Sequence, residues 1–168
     1  MEHTVLLVDD DQHVLHGLAR ALRHQPYSLL TVRSADEAMQ ALKSRSIDVI
    51  VADERMPGMP GSELLAWVAA TFPEVVRIML TGHATTATAI RAINEGAVYL
   101  FFTKPCDEIQ LALGIRKALE YADLTRENRR LLALVQAPAG AVPAAAAANG
   151  LAALASGEAA LPAVPASG

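Results

Sequence analysis

An open parallel α/β sheet, wound on both faces by helices, is the fold class this sequence predicts. Three observations predict it. Short apolar runs recur at regular intervals, each bounded by turn residues, as buried parallel strands do. Between them lie segments with apolar residues at helical spacing. The two kinds of segment alternate strictly through residues 4–122, and such alternation argues for βαβ units with right-handed crossovers.

The first run, Thr4-Val5-Leu6-Leu7-Val8, is closed by Asp9-Asp10-Asp11. Residues 12–24 follow as a helix, with Val14, Leu15, Leu18, Ala21 and Leu22 on one face. Asp11 suits its N-cap, and Gln25-Pro26 ends it, because the residue before a proline is driven out of the α region. Leu29-Leu30-Thr31-Val32 is a short second strand. Ser34 and Glu37 form a capping-box pattern ahead of Ala35, Ala38, Met39 and Leu42. The third strand, Asp48-Val49-Ile50-Val51-Ala52, is closed by Asp53. Residues 62–72 form a third helix, broken by Pro73, with Leu64, Leu65, Trp67 and Val68 as its packing stripe. Arg77-Ile78-Met79-Leu80 ends at Thr81 as the fourth strand. A fourth helix over residues 84–94 is closed by Gly96. Val98-Tyr99-Leu100-Phe101-Phe102 is the fifth strand and ends near Lys104-Pro105. The fifth helix starts at Asp107, with Ile109, Leu113, Ile115, Leu119 and Ala122 as its apolar face.

Five strands in this arrangement suit the flavodoxin-like order 2-1-3-4-5, with five helices and the last one extended. Strands 1 and 3 are then neighbours at the switch point, so Asp9, Asp10 and Asp53 come together. Ligand sites of open α/β sheets lie at the carboxyl ends of the strands. Thr81 and Lys104 reach the same edge. Clustered carboxylates repel unless a cation joins them, and an all-oxygen set suits a hard ion such as Mg²⁺. A carboxylate can also act as a nucleophile and carry a phosphoryl group.

The chain has 168 residues and a formal net charge of −4, which implies no basic surface for nucleic acid. A single cysteine, Cys106, excludes an intramolecular disulfide framework and a Cys-rich zinc site, and is expected to be a small buried hydrophobe. The chain begins directly on a strand, without a signal peptide, and no long uncharged apolar run precedes the tail. The expectation is a cytoplasmic protein with no membrane partner. Leu124, Leu131, Leu132 and Val135 continue the last helix across residues 123–136, either as a frayed helical extension or as a helix for dimerisation or signal transmission. Residues 137–168 are mostly Ala, Pro, Gly and Val and predict a disordered tail.

Four stretches carry a resemblance: Leu7-Val8-Asp9-Asp10, the run from Asp53-Glu54-Arg55-Met56-Pro57 to Gly61, Leu80-Thr81-Gly82, and Thr103-Lys104-Pro105. Each stands at a successive strand end. Together they make residues 1–122 similar to the receiver domain of bacterial two-component response regulators. The resemblance implies that Asp53 is the phospho-acceptor for a sensor histidine kinase or phosphotransfer protein. It implies Mg²⁺ held by Asp10, Asp53 and the backbone carbonyl of Arg55, with Asp9 acting through water. Lys104 would pair with Asp53 and then with a phosphoryl oxygen. Thr81 and Phe101 would move together and reshape the face of helix 4, strand 5 and helix 5, the surface for a downstream partner or a homodimer. Pro57 and Gly61 serve the loop after the acceptor, with Gly58, the glycines by allowing φ > 0. Lys104-Pro105 is expected to be cis.

Glu54 is read as solvated. Gly82 stands where the family commonly has Ala, and Arg55 and His83 would border the path of a hydrolytic water. Such a chain accepts a phosphoryl group rather than turning over a substrate. Two alternatives carry different chemistry. One is a receiver that serves only protein interaction. The other is a haloacid-dehalogenase-type phosphatase with Asp9 as nucleophile and Asp11 as acid/base, which leaves Asp53 unexplained.

Overall fold

The computed structural model describes residues 2–82, 86–95 and 97–136. The elements follow in the order β1 (Thr4–Val8), α1 (Gln12–Leu22), β2 (Ser28–Val32), α2 (Ala35–Ser44), β3 (Val49–Asp53), α3 (Gly61–Thr71), β4 (Val76–Thr81), α4 (Thr86–Asn94), β5 (Leu100–Thr103) and α5 (Glu108–Gln136). All strand pairs are parallel, and the sheet order is β2-β1-β3-β4-β5. The expected doubly wound fold is therefore present.

The chain divides into two units, residues 1–126 and 127–168. The first holds the sheet. Of the second, residues 127–136 are described, as the last turns of α5, where Arg130 forms a two-pronged pair with Glu127 at 2.7 and 2.9 Å. The expected tail at 137–168 lies outside the described residues, as do His83, Ala84, Thr85 and the helix-closing Gly96.

Successive strand side chains point to opposite faces, and the core divides accordingly. Leu6, Val8, Ile50, Ala52 and Met79 meet α2 and α3 through Ala38, Leu42, Leu64, Leu65 and Val68. Val5, Leu7, Val49, Val51, Ile78 and Leu80 meet α1 and α5 through Leu15, Leu22, Leu111, Ile115 and Ala118. Both sets are almost wholly withdrawn from water, and such burial contributes roughly 1.5–3 kcal/mol for each large aliphatic side chain. The rigid sheet fixes where its carboxyl-edge residues stand.

Several expected boundaries shift for visible reasons. Asp48 precedes β3 rather than opening it, because its carboxylate turns to accept from the Thr4 backbone N–H at 2.9 Å and from Arg126 at 2.5 Å. Asp53 belongs to the strand, opposite Leu80. β5 begins at Leu100, two residues later than expected. Glu37 reaches back to the N–H of Arg33 at 2.8 Å, while Ser34 accepts from Glu37 at 3.2 Å; the box is offset by one residue.

The apolar face of α5 is corrected more substantially. Leu111, Ile115, Ala118, Leu119 and Ala122 are buried, whereas Ile109 and Leu113 are 69% and 46% exposed. At 3.6 residues per turn, Ile109 and Leu113 lie more than about 100° from the Ile115 direction. Their apolar character suggested the face, but their angle excludes them. Cys106 is half-buried, packed beside the α1/α5 core rather than enclosed in it. Trp67 packs as expected, edge-on to Phe72 with ring centroids 5.7 Å apart. No helix among the described residues is long and apolar enough to cross a membrane.

Candidate functional site

β1 and β3 lie side by side, Val8 opposite Ala52, and their carboxyl ends deliver Asp9 and Asp53 to one place. Both are buried, and Asp10 beside them is half-exposed. One carboxylate oxygen from each of the three lies within 4.8 Å of the others. β4 ends at Thr81, which is buried and one residue beyond the Asp53 partner Leu80. The Lys104 backbone N–H donates to the Thr81 carbonyl at 2.8 Å, so the chain leaving β5 brings its side chain to the same edge. The Lys104-Pro105 peptide is cis.

Lys104 Nζ donates to Asp9 Oδ2 at 2.8 Å and stands 3.2 Å from Asp53 Oδ1. The expected partner was Asp53; the ammonium in fact joins both acids. The other Asp9 oxygen accepts from the Asp11 N–H at 2.9 Å. Burial pushes the Asp53 carboxyl above the usual range, and the charge of Asp9 adds to it; Lys104 and the Arg55 backbone N–H oppose both. For Lys104, burial pulls the ammonium down, but its bonds and charges with Asp9 and Asp53 outweigh this and hold it above its ordinary value.

Asp11 caps α1, accepting from the His13 N–H at 2.9 Å. That use, with Asp9 held by Lys104 and Asp11, leaves little for the phosphatase reading, in which Asp9 attacks and Asp11 moves a proton. Phe101 is half-buried against the α2/α3 core and Phe102 faces the α1/α5 core. Gly82 is exposed, with open space where a Cβ would stand.

Two loop residues differ from expectation. Gly58 has φ +81°, the left-handed conformation that favours glycine. Gly61 does not; a Cβ there would strike the Asp53 carbonyl, so close approach is what requires glycine. Glu54 is only partly exposed, and its carboxylate is partnered rather than free in solvent. Its carboxylate accepts from the Ser62 N–H at 2.7 Å and the Ser62 hydroxyl at 2.8 Å. Arg33 was also missed; its guanidinium donates to the Asp10 carbonyl at 3.2 Å.

The three acids fit a divalent cation by donor chemistry: every converging atom is a carboxylate oxygen, and hard cations take oxygen ligands.

The family model for the response regulator receiver domain matches residues 5–116. The hydrogenase transcriptional regulatory protein HoxA of Cupriavidus necator is 38% identical over 128 residues, covering 76% of this chain and 26% of that protein. The nitrogen assimilation regulatory protein NtrX of Azorhizobium caulinodans is 36% identical over 138 residues, covering 81% and 30%. The signal receiver domain of an HD domain-containing protein from Pseudomonas fluorescens Pf-5 is 37% identical with a TM-score of 0.71, covering 75% of this chain and 93% of that one. The chain thus spans under a third of the curated relatives it matches. HoxA is by name a transcriptional regulatory protein, so the expectation of no nucleic-acid partner, read from the net charge of these 168 residues, does not extend to a protein of its length.

Proposed function

The chain belongs to the response regulator receiver domain family and serves two-component phosphorelay signalling, and from that premise we propose that Asp53 is its phospho-acceptor. The observation that carries this reading is the Asp53 carboxylate at a strand end, flanked by Asp9 and Asp10 and facing the Lys104 ammonium.

The donor is a phosphohistidine of a sensor kinase or phosphotransfer protein. An Asp53 carboxylate oxygen forms the new P–O bond as the P–N bond breaks, and the electron pair returns to the imidazole. Phosphoryl transfer rests on positioning and on neutralising charge at the equatorial oxygens. Lys104 supplies one positive charge, and as Asp53 becomes an acyl phosphate its ammonium is placed to hold a phosphoryl oxygen. Asp10, Asp53 and the Arg55 carbonyl would hold Mg²⁺, with Asp9 reached through water; that ion supplies further charge neutralisation. The Thr81 hydroxyl donates a hydrogen bond to the phosphoryl group, and Phe101 turns inward with it. Arg55 covers the group and slows its hydrolysis.

The output follows from a population shift between two packings, biased by these contacts. Ile90 and Ile93 on α4, Tyr99 just ahead of β5 and Tyr121 on α5 leave apolar surface, each between 37% and 51% exposed, and Tyr99 stacks on Tyr121 at 4.7 Å. This face takes the downstream partner or a second copy of the chain.

Intact mass after incubation with Mg²⁺ and acetyl phosphate tests the proposal. One phosphoryl adduct is expected on the parent and none on Asp53→Asn. A folded, Mg²⁺-bound parent without adduct would establish the interaction-only alternative. Sustained turnover of a phosphate monoester by unmodified protein would establish the phosphatase.

A further inference from the structure

Glu54 adjoins three converging carboxylates yet is not one of them. Its side chain turns to the start of α3, and the reason lies in that helix. The first-turn N–H groups of a helix have no partner within it and are usually met by a side chain at the N-cap. Here the N-cap is Pro60, which makes no such bond. Glu54 takes its place from across the loop, accepting from Ser62 at both the N–H and the hydroxyl. A negative charge at a helix N-terminus is further favoured by the helix dipole.

The backbone of the same residue is also held. The Glu54 N–H donates to Leu80 of β4 at 2.9 Å, and its carbonyl accepts from Gly61 at 3.0 Å. Residues 55–60 therefore leave and return to a single residue, fixed to the sheet on one side and to α3 on the other. The missing Cβ of Gly61 lets α3 begin directly against the Asp53 carbonyl. Arg55, two residues after Asp53, is the first residue of this closed loop.

We propose that Glu54 is a positioning residue for the cation site: by capping α3 it closes the loop that presents the Arg55 carbonyl beside Asp53, and so sets Mg²⁺ affinity without touching the ion. The inference rests on the reading of the acidic cluster as a Mg²⁺ site. Partners that orient metal ligands typically govern affinity by about 10–100-fold.

Calorimetric Mg²⁺ titration of the full chain is the test, on the parent, Glu54→Ala, Glu54→Gln, Ser62→Ala, the Glu54→Ala/Ser62→Ala double variant and Asp10→Asn. The expected result is an affinity about tenfold weaker in Glu54→Ala. Glu54→Gln, which keeps the length and one acceptor, falls between it and the parent. The double variant is no weaker than Glu54→Ala alone, since the two groups act as one unit. Parental Mg²⁺ affinity in the folded Glu54→Gln and Glu54→Ala proteins, with only a lower melting temperature, would overturn the proposal and leave a helix cap alone. A parent that binds no Mg²⁺, or an Asp10→Asn variant that binds as tightly as the parent, would overturn the cation-site reading, and the inference with it.

Discussion

Lys104 Nζ stands between Asp9 and Asp53, 2.8 Å from one carboxylate and 3.2 Å from the other. The two acids arrive on neighbouring strands, and this ammonium is the cation that joins them. Removing one partner of a buried charge group leaves the others uncompensated. Lys104→Met is therefore expected to lower stability by about 2–3 kcal/mol in metal-free buffer, less than for a wholly enclosed pair because Lys104 is partly exposed. Mg²⁺ should restore part of the loss. Urea denaturation with and without Mg²⁺ measures both; equal stability of variant and parent would rule out the ammonium as the balancing charge.

Tyr27 has a buried hydroxyl that accepts and donates nothing among the described residues. Burial pushes its phenol from 10.0 up to about 12, against the opposing charge of Arg116. The folded value lies above the unfolded one, so the stability held by the neutral phenol is complete below the unfolded value. It is lost as pH rises from 10.0 towards about 12. Tyr27→Phe should equal the parent or exceed it by up to about 1 kcal/mol at pH 7, and its advantage should widen above pH 10. Denaturation midpoints across that range check the sign; a gap that narrows with rising pH would contradict it.

The two loop glycines should respond to substitution to different extents. Gly61→Ala places a methyl group against the Asp53 carbonyl and should cost about 2–3 kcal/mol, with slower phosphorylation as α3 backs away. Gly58→Asn keeps a residue tolerant of positive φ in open space and should cost less than about 1 kcal/mol. Thermal melts of the pair, with labelling by acetyl phosphate, separate close approach from backbone freedom as the reason for each glycine.

At the opposite edge of the sheet, Asp48 is buried and accepts from the Thr4 N–H and from Arg126, with His3 Nδ1 at 3.6 Å. Arg126→Met withdraws the guanidinium and should cost about 1–3 kcal/mol. In an Asp48→Asn background the same change should cost clearly less. A double-mutant cycle by urea denaturation gives the coupling, and additive losses would show that the pair contributes nothing of its own.

The strand-end chemistry was legible because the fold obeys periodicity. Val5 to Val8, Val49 to Ala52 and Ile78 to Leu80 are continuous apolar runs, and a run with a carboxylate or hydroxyl at its end announces both strand and site. The topology then followed from strict alternation, and with it the meeting of Asp9 and Asp53. What escaped were relationships between residues that share no pattern. Ile109 and Leu113 look like core residues until their angle around α5 is compared with that of Ile115. Glu54 reads as a solvated acid until the poverty of Pro60 as an N-cap is noticed; a proline cap preceded by a carboxylate across a short loop was the available signal. Gly61 looked like a turn residue because the Asp53 carbonyl that crowds it is a tertiary neighbour. Asp48 appeared to open a strand because its partner Arg126 comes from the far end of the domain.

Sheet order has a consequence for the growing polypeptide. In chain order, β2 lies on one side of β1, and β3, β4 and β5 follow one another outward on the other side. The sheet can thus extend in one direction as the chain leaves the ribosome, where domains generally fold from the N-terminal side. Asp9 and Asp53 are brought together when β3 docks, but Lys104 is translated only after β5. In any species with β3 docked and β5 not yet in place, the two acids would stand together without their counter-charge, and docking of the last strand would both complete the sheet and relieve the repulsion.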